Sequence, residues 1–329
     1  MTENLKYLVQ RPGWDVQSIS DPAFAKMGSL LTPPKNLKKG GFAFFGIPFE
    51  GLTINPIGGK NGPDGLRKAL SKLRPYSPDL DIDFIENNGF ADLGDIEVAY
   101  MDYDVTLERA ESVFSEVLQQ GWIPVVAGGS HTITEATLRA FSEAHNKNIG
   151  VVWFDAHPDI MHDYKGDKHY CGCPLMRVLE TGHIKTGNVA SFGLRGFANA
   201  AGEIREGREM GLYFYTMDDF YEKGLKQCIR EAIDIATDGT EAFYITLDAD
   251  AIDHTFAPAT QYPGPGGFQP YEMMKFIREL AVAGAGAIDV VEYAPLIDYT
   301  GNTGSLLGTL LCEFMAGAAW RMQNSSGNK

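Results

Sequence analysis

Short apolar runs of strand length alternate with stretches of helical periodicity along almost the whole chain, and this alternation restricts the fold more than any other feature. The runs fall at 41–48, 90–96, 122–127, 151–159, 188–194, 212–215, 243–250 and 287–292. Helical patterns occupy 63–70, 106–120, 132–145, 225–236, 271–283 and 303–322, and a further helix opens at Pro174. Strand and helix in alternation predict an α/β domain with a mostly parallel central sheet covered by helices on both faces. No linker divides 41–329, which reads as a single domain. Residues 1–40, with Pro12, Pro22, Pro33 and Pro34, read as an N-terminal arm that wraps the domain or lies at a subunit contact.

Two of the runs end in acids. Val151-Val152-Trp153-Phe154 leads into Asp155-Ala156-His157-Pro158-Asp159, and about ninety residues later Phe243-Tyr244-Ile245-Thr246-Leu247 leads into Asp248-Ala249-Asp250. In an extended strand, positions i, i+2 and i+4 share a face, so Asp155, His157 and Asp159 are expected to form one row. His131 sits between a strand's carboxyl end and a helix capped by Thr132 or Thr134, where open α/β sheets place their ligands. Four carboxylates crowded at buried strand ends repel one another unless cations lie between them. The expected arrangement gives one ion His131, Asp155, Asp159 and Asp248, and the other Asp155, His157, Asp248 and Asp250. Oxygen-dominated ligands with two imidazoles suit manganese, with nickel as the alternative. Two such ions, about 3.5–4 Å apart, hold a shared water as hydroxide near neutral pH. Glu292 closes a neighbouring strand and adds negative charge, and a planar guanidinium answers that field and fits a carboxylate fork.

Composition narrows the classes. A net charge of −15 argues against nucleic acid as a partner. No run approaches the ~20 apolar residues that would span a bilayer, and the N-terminus lacks a secretory pattern. Cys171, Cys173, Cys228 and Cys312 form no repeated spacing, so a cytoplasmic protein with reduced thiols is expected. The glycines between Gly58 and Gly62 fit neither phosphate-binding fingerprint.

Gly128-Gly129-Ser130-His131, Asp155-Ala156-His157-Pro158-Asp159, Asp248-Ala249-Asp250-Ala251-Ile252-Asp253 and Val291-Glu292-Tyr293-Ala294-Pro295 resemble, in order and spacing, the motifs of the ureohydrolase family of arginases and agmatinases. The resemblance runs from about Phe44 to the last helix. It implies a three-layer α/β/α arginase-like fold, a binuclear manganese cluster, hydrolysis of a guanidino compound to an amine and urea by a metal-bridging hydroxide, and homotrimers or homohexamers. It also implies that Glu292 grips the guanidinium and that Asp159 both ligates metal and orients the hydroxide.

Departures from the family pattern matter as well. Ser130 stands where an acid is usual, and Cys171-Gly172 stands where some members carry a His-Gly proton shuttle, leaving Cys171, His162, His169 or Asp159 for that task. Met161 and Gly196 replace the Asn and Asp with which arginases hold an α-amino acid, and His254 replaces a proline beside the pocket. An agmatinase-like enzyme acting on a small cationic guanidine is therefore expected. The alternatives are a non-catalytic scaffold beside a paralogous subunit and a formiminoglutamate hydrolase releasing formamide.

Overall fold

The computed structural model describes residues 7–9, 24–51, 53 and 57–326. Its strands are β1 (Leu8–Val9), β2 (Phe42–Ile47), β3 (Tyr76–Ser77), β4 (Ile82–Asp83), β5 (Phe90–Ile96), β6 (Ile123–Gly128), β7 (Ile149–Phe154), β8 (Val189–Leu194), β9 (Tyr213–Thr216), β10 (Ala242–Asp248) and β11 (Ala287–Val291). The helices are α1 (Gly62–Leu70), α2 (Phe84–Asn88), α3 (Tyr103–Gln119), α4 (Thr134–Ala144), α5 (Pro174–Glu180), α6 (Ala201–Met210), α7 (Met217–Lys223), α8 (Leu225–Thr237), α9 (Pro270–Ala283) and α10 (Asn302–Ser326).

Nine strands form one sheet in the order β1-β5-β2-β6-β11-β10-β7-β8-β9. All neighbours from β5 to β9 in that order pair in parallel, and only β1 runs antiparallel at the edge. Side chains alternate between the two faces, as the strand repeat of two requires. Val152 and Phe154 of β7 enter the apolar layer shared with α1, α8, α9 and α10, whereas Val151 and Trp153 enter the layer shared with α3, α4 and α5. The result is a three-layer α/β/α architecture with a core on each side of the sheet.

Local chemistry shifts some expected boundaries. Asp102 accepts from the Val105 N–H, so α3 starts three residues before Thr106. Neither Thr132 nor Thr134 caps α4; Ser130 accepts from the Thr132 N–H and opens a tight 3-10 turn, His131–Ile133, from which α4 continues. The short helices α6 and α7 lie in a stretch read as connection between strands. Half of the arm expected at 1–40 lies outside the described residues, and within it Leu8–Val9 pairs with Asp95–Ile96.

Candidate metal centre

Four neighbours in the middle of the sheet, β6, β11, β10 and β7, place their carboxyl ends side by side. Beyond β6 comes His131, beyond β11 Glu292, at the end of β10 Asp248 with Asp250 two residues on, and beyond β7 Asp155. The ladder does not align Asp155, His157 and Asp159 as a strand face, because β7 stops at Phe154. Pro158 has no N–H to offer, so a strand paired on both sides cannot continue through it. Instead the chain bends, and Asp159 adopts a left-handed backbone with φ of +51°. Glu292 does the same at +61°. Such conformations are uncommon for residues other than glycine and cost on the order of 1–3 kcal/mol each.

The bends bring the polar groups together. His131 Nδ1 lies 3.0 Å from Asp155 Oδ2, 3.1 Å from Asp159 Oδ2 and 3.3 Å from Asp248 Oδ2. His157 Nδ1 lies 3.1 Å from Asp155 Oδ1 and 3.2 Å from Asp250 Oδ2. Two ligand-type groups result, His131 with Asp155 and Asp248, and Asp155 with His157 and Asp250, each with its donor atoms within 4.8 Å of one another. Asp155 presents one oxygen to each group. Backbone N–H groups orient the acids: His157 donates to Asp155 Oδ1 at 2.7 Å, Asp250 to Asp248 Oδ1 at 2.7 Å, and Ala156 to Asp250 Oδ1 at 3.0 Å. Glu292 Oε1 accepts from the His131 N–H at 2.7 Å.

Electrostatics mark this as a place for cations. Against the upward push of burial, the neighbouring His131 and His157 imidazoles hold the Asp155 carboxyl well below the usual carboxylate range. Burial and the neighbouring Asp155 push Asp159 up to about 7, and burial pushes Glu292 up to about 8. Burial, Asp250 and Asp155 also raise Asp248. Both imidazoles are raised although burial works against it, His131 by the close carboxylates of Asp155, Asp159 and Asp248, and His157 by Asp250 and Asp155. His131 Nδ1 is buried without a hydrogen-bond partner while facing three carboxylate oxygens, which fits a metal ion between them.

A cavity of about 240 Å³ opens over these groups. Its acids are Asp159, Asp248, Glu203 and Glu292, and its other walls include Met161, Tyr170, Cys171, Asn199 and Tyr262. No lysine or arginine lines it among the described residues. The nearby Arg195 guanidinium is engaged by backbone carbonyls of Asp250, Gly264 and Pro265 at 2.5, 3.1 and 3.1 Å. Burial, reinforced by Glu292 and Asp159, pushes the Cys171 thiol up to about 12, so it stays protonated.

Other expected site residues lie elsewhere. The His162 side chain is 61% exposed and pairs with Glu206 at 2.7 Å, outside the cavity wall. His254, 48% exposed beside Asp253, and Gly196, with open space around its Cα, do not line the cavity either. Met161 and Cys171 do. Sequence reasoning missed Glu203, Asn199, Tyr170 and Tyr262. Glu203 sits in the first turn of α6, and no sequence signal pointed to it.

The sequence profile of the arginase family matches residues 41–317. The chain belongs to the arginase family. Among its relatives, human mitochondrial guanidino acid hydrolase is 30% identical over 87% of this chain and 80% of that protein. The crystal structure of formimidoylglutamase from Bacillus subtilis superposes with a TM-score of 0.86 at 26% identity, covering 92% of this chain and 94% of that one. Agmatine ureohydrolase of Thermoplasma volcanium superposes at 0.80 with 30% identity, covering 92% and 96%. Arginase-family membership and the three-layer fold agree with the motif resemblance. The relatives divide over substrate. No helix among the described residues is long and apolar enough to cross a membrane.

Proposed function

We propose that this arginase-family hydrolase acts on a small guanidino compound with a cationic or neutral tail and releases urea. Residues 41–329 form its catalytic domain. The observation that carries the reading is the cavity wall, which among the described residues holds four acids and neither lysine nor arginine. A guanidinium would meet Glu292, whose Oε1 is already fixed by the His131 N–H and whose other oxygen completes a fork. An ammonium at the far end would meet Glu203 and the faces of Tyr170 and Tyr262. A carboxylate tail would meet no lysine or arginine among the described residues of the wall.

His131, Asp155, His157, Asp248 and Asp250, with Asp159 beside His131, are the groups that would hold two divalent cations, with manganese favoured over nickel by the oxygen-rich set. When bound, such ions supply an activated water and balance the acids. Glu292 orients the planar carbon toward the cage. The Asp159 carboxyl, 3.1 Å from His131 on the cavity side of the cage, would orient the attacking water and relay its proton to the leaving amine nitrogen. Cys171, held as a neutral thiol, is a wall group and not a base.

A second reading, formimidoylglutamate hydrolysis, is favoured by the similarity to the Bacillus subtilis enzyme. That substrate carries carboxylates and would release formamide. Purified full-length protein loaded with manganese, and separately with nickel, should be assayed with guanidinoalkylamines, neutral alkylguanidines, guanidino acids and formimidoylglutamate, with metal content measured on the same sample. Urea formation fastest from the first two classes is expected. Formamide release, or preference for guanidino acids, overturns the proposal, and no turnover with both metal sites filled leaves the scaffold role.

A further inference from the structure

The cavity is walled by stretches that leave the sheet separately. The cage and Glu292 sit at the ends of the central strands, whereas Ala198, Asn199 and Glu203 belong to the connection from β8 into α6. Apolar packing does little to hold this second wall. Residues 196–198 and 200–202 are exposed, and α6 buries only Gly207, which runs close to Phe214 and Ile160. Polar bonds have to fix its place instead.

Asn199 supplies them. Its amide nitrogen donates to the Ala156 carbonyl at 2.9 Å and to the Arg195 carbonyl at 2.7 Å. Ala156 stands between Asp155 and His157, so the first bond ties this wall to the cage, and the second closes the turn from 195 to 199. Both partners are carbonyls, which only accept, so the nitrogen has to be the atom that faces them. Asn199 Oδ1 is left buried with no hydrogen-bond partner among the described residues. That is a cost, which the two donated bonds must outweigh. The other ties are weaker: the Arg195 N–H reaches the same Ala156 carbonyl at 3.3 Å, and the His162–Glu206 pair is exposed to solvent. One turn further on, the Glu203 carboxylate accepts from the Ala200 N–H at 3.3 Å, which holds it against the start of α6.

We infer that Asn199 is a positioning residue that sets the distance between the guanidinium seat at Glu292 and the ammonium seat at Glu203, and so selects substrates by the length of the chain between the two charges. The inference rests on the guanidino reading proposed above. A merely structural role for Asn199 would lower activity on every substrate alike, or loosen the metal.

The test is urea release by the manganese-loaded full chain from guanidinoalkylamines of increasing length and from neutral alkylguanidines, with bound metal counted on each sample. The parent should show a peak in kcat/KM at one amine length. Asn199→Ala should keep both ions, treat alkylguanidines as the parent does, and flatten the peak by raising KM up to about fivefold for the best amine with kcat little changed. Glu203→Asp, which shortens the acid by one methylene and leaves Asn199 in place, should move the peak to the next longer amine. An unaltered length profile in Asn199→Ala, an equal loss on alkylguanidines, lost metal in that variant, or an unmoved peak in Glu203→Asp overturns the inference, as does a parent that releases urea without regard to length. A parent that releases no urea from any guanidine with both sites filled overturns the proposed function together with the inference.

Discussion

Asp159, Glu292, His131 and His157 all have pKa values displaced upward, so the residues by themselves share protons where divalent ions would stand. Each group ligates or grips only when deprotonated, and a raised pKa keeps its proton on until the pH exceeds the raised value. Apparent metal affinity should therefore climb with pH across the neutral range and loading should release protons. Calorimetry at one pH in buffers of different ionisation heat checks this, and a buffer-independent heat would contradict it. Asp248→Asn should lose bound metal and urea formation together. Glu292→Gln should retain both ions but lose at least about tenfold in kcat/KM, the scale of one charge-assisted bond. Glu203→Gln should raise KM for a guanidinoalkylamine about fivefold, near the ~1 kcal/mol of a partly solvated ion pair, with kcat little changed. The cage was legible because apolar runs that break off in acids put several negative charges at buried strand ends, where cations must balance them. His162 and His254 were not placed by sequence, since nearness along a loop says nothing about which way a side chain turns. Glu203 is far from every motif and reaches the cavity only through the path of α6.

The segment from Asp155 to Cys173 carries ligand-type residues and cavity wall yet has little regular structure, and His169 is one of its anchors. That imidazole meets the buried Glu135 of α4 at 3.0 Å and packs against Tyr103, which bonds the same carboxylate. The hydrogen bond to Glu135 raises the His169 pKa. A raised histidine stabilises the folded state fully below its unfolded pKa, and the contribution fades as pH rises through the folded value. The Tm deficit of His169→Ala should thus be larger at pH 6 than at pH 9, and a pH-independent deficit would refute the latch. In the core, Phe154 packs edge-on against Phe268 and Phe276, so Phe154→Ala should cost about 3–5 kcal/mol in chemical denaturation. Strands such as β7 and β10 were readable because both faces are buried and nearly every residue is apolar. The helix α6 was not, because Ala201–Met210 buries only Gly207 and so prints no apolar stripe.

At the scale of the molecule, the cage joins four central strands whose ends would otherwise crowd like charges, so ions bound there should stabilise the whole domain. Saturation at a hundredfold above Kd contributes about 2.7 kcal/mol per site, and chelation should lower Tm accordingly; an unchanged Tm would mean that the cage is indifferent to metal. The alternation of strand and helix announced the layers, whereas the short edge strand at Leu8–Val9 was too brief to leave a pattern. Asp159 and Glu292 hold backbone angles in which glycine or asparagine would sit with less discomfort. A library selected for heat tolerance alone in the presence of chelator should therefore drift toward those two residues at these positions, and its hardiest survivors would be inert.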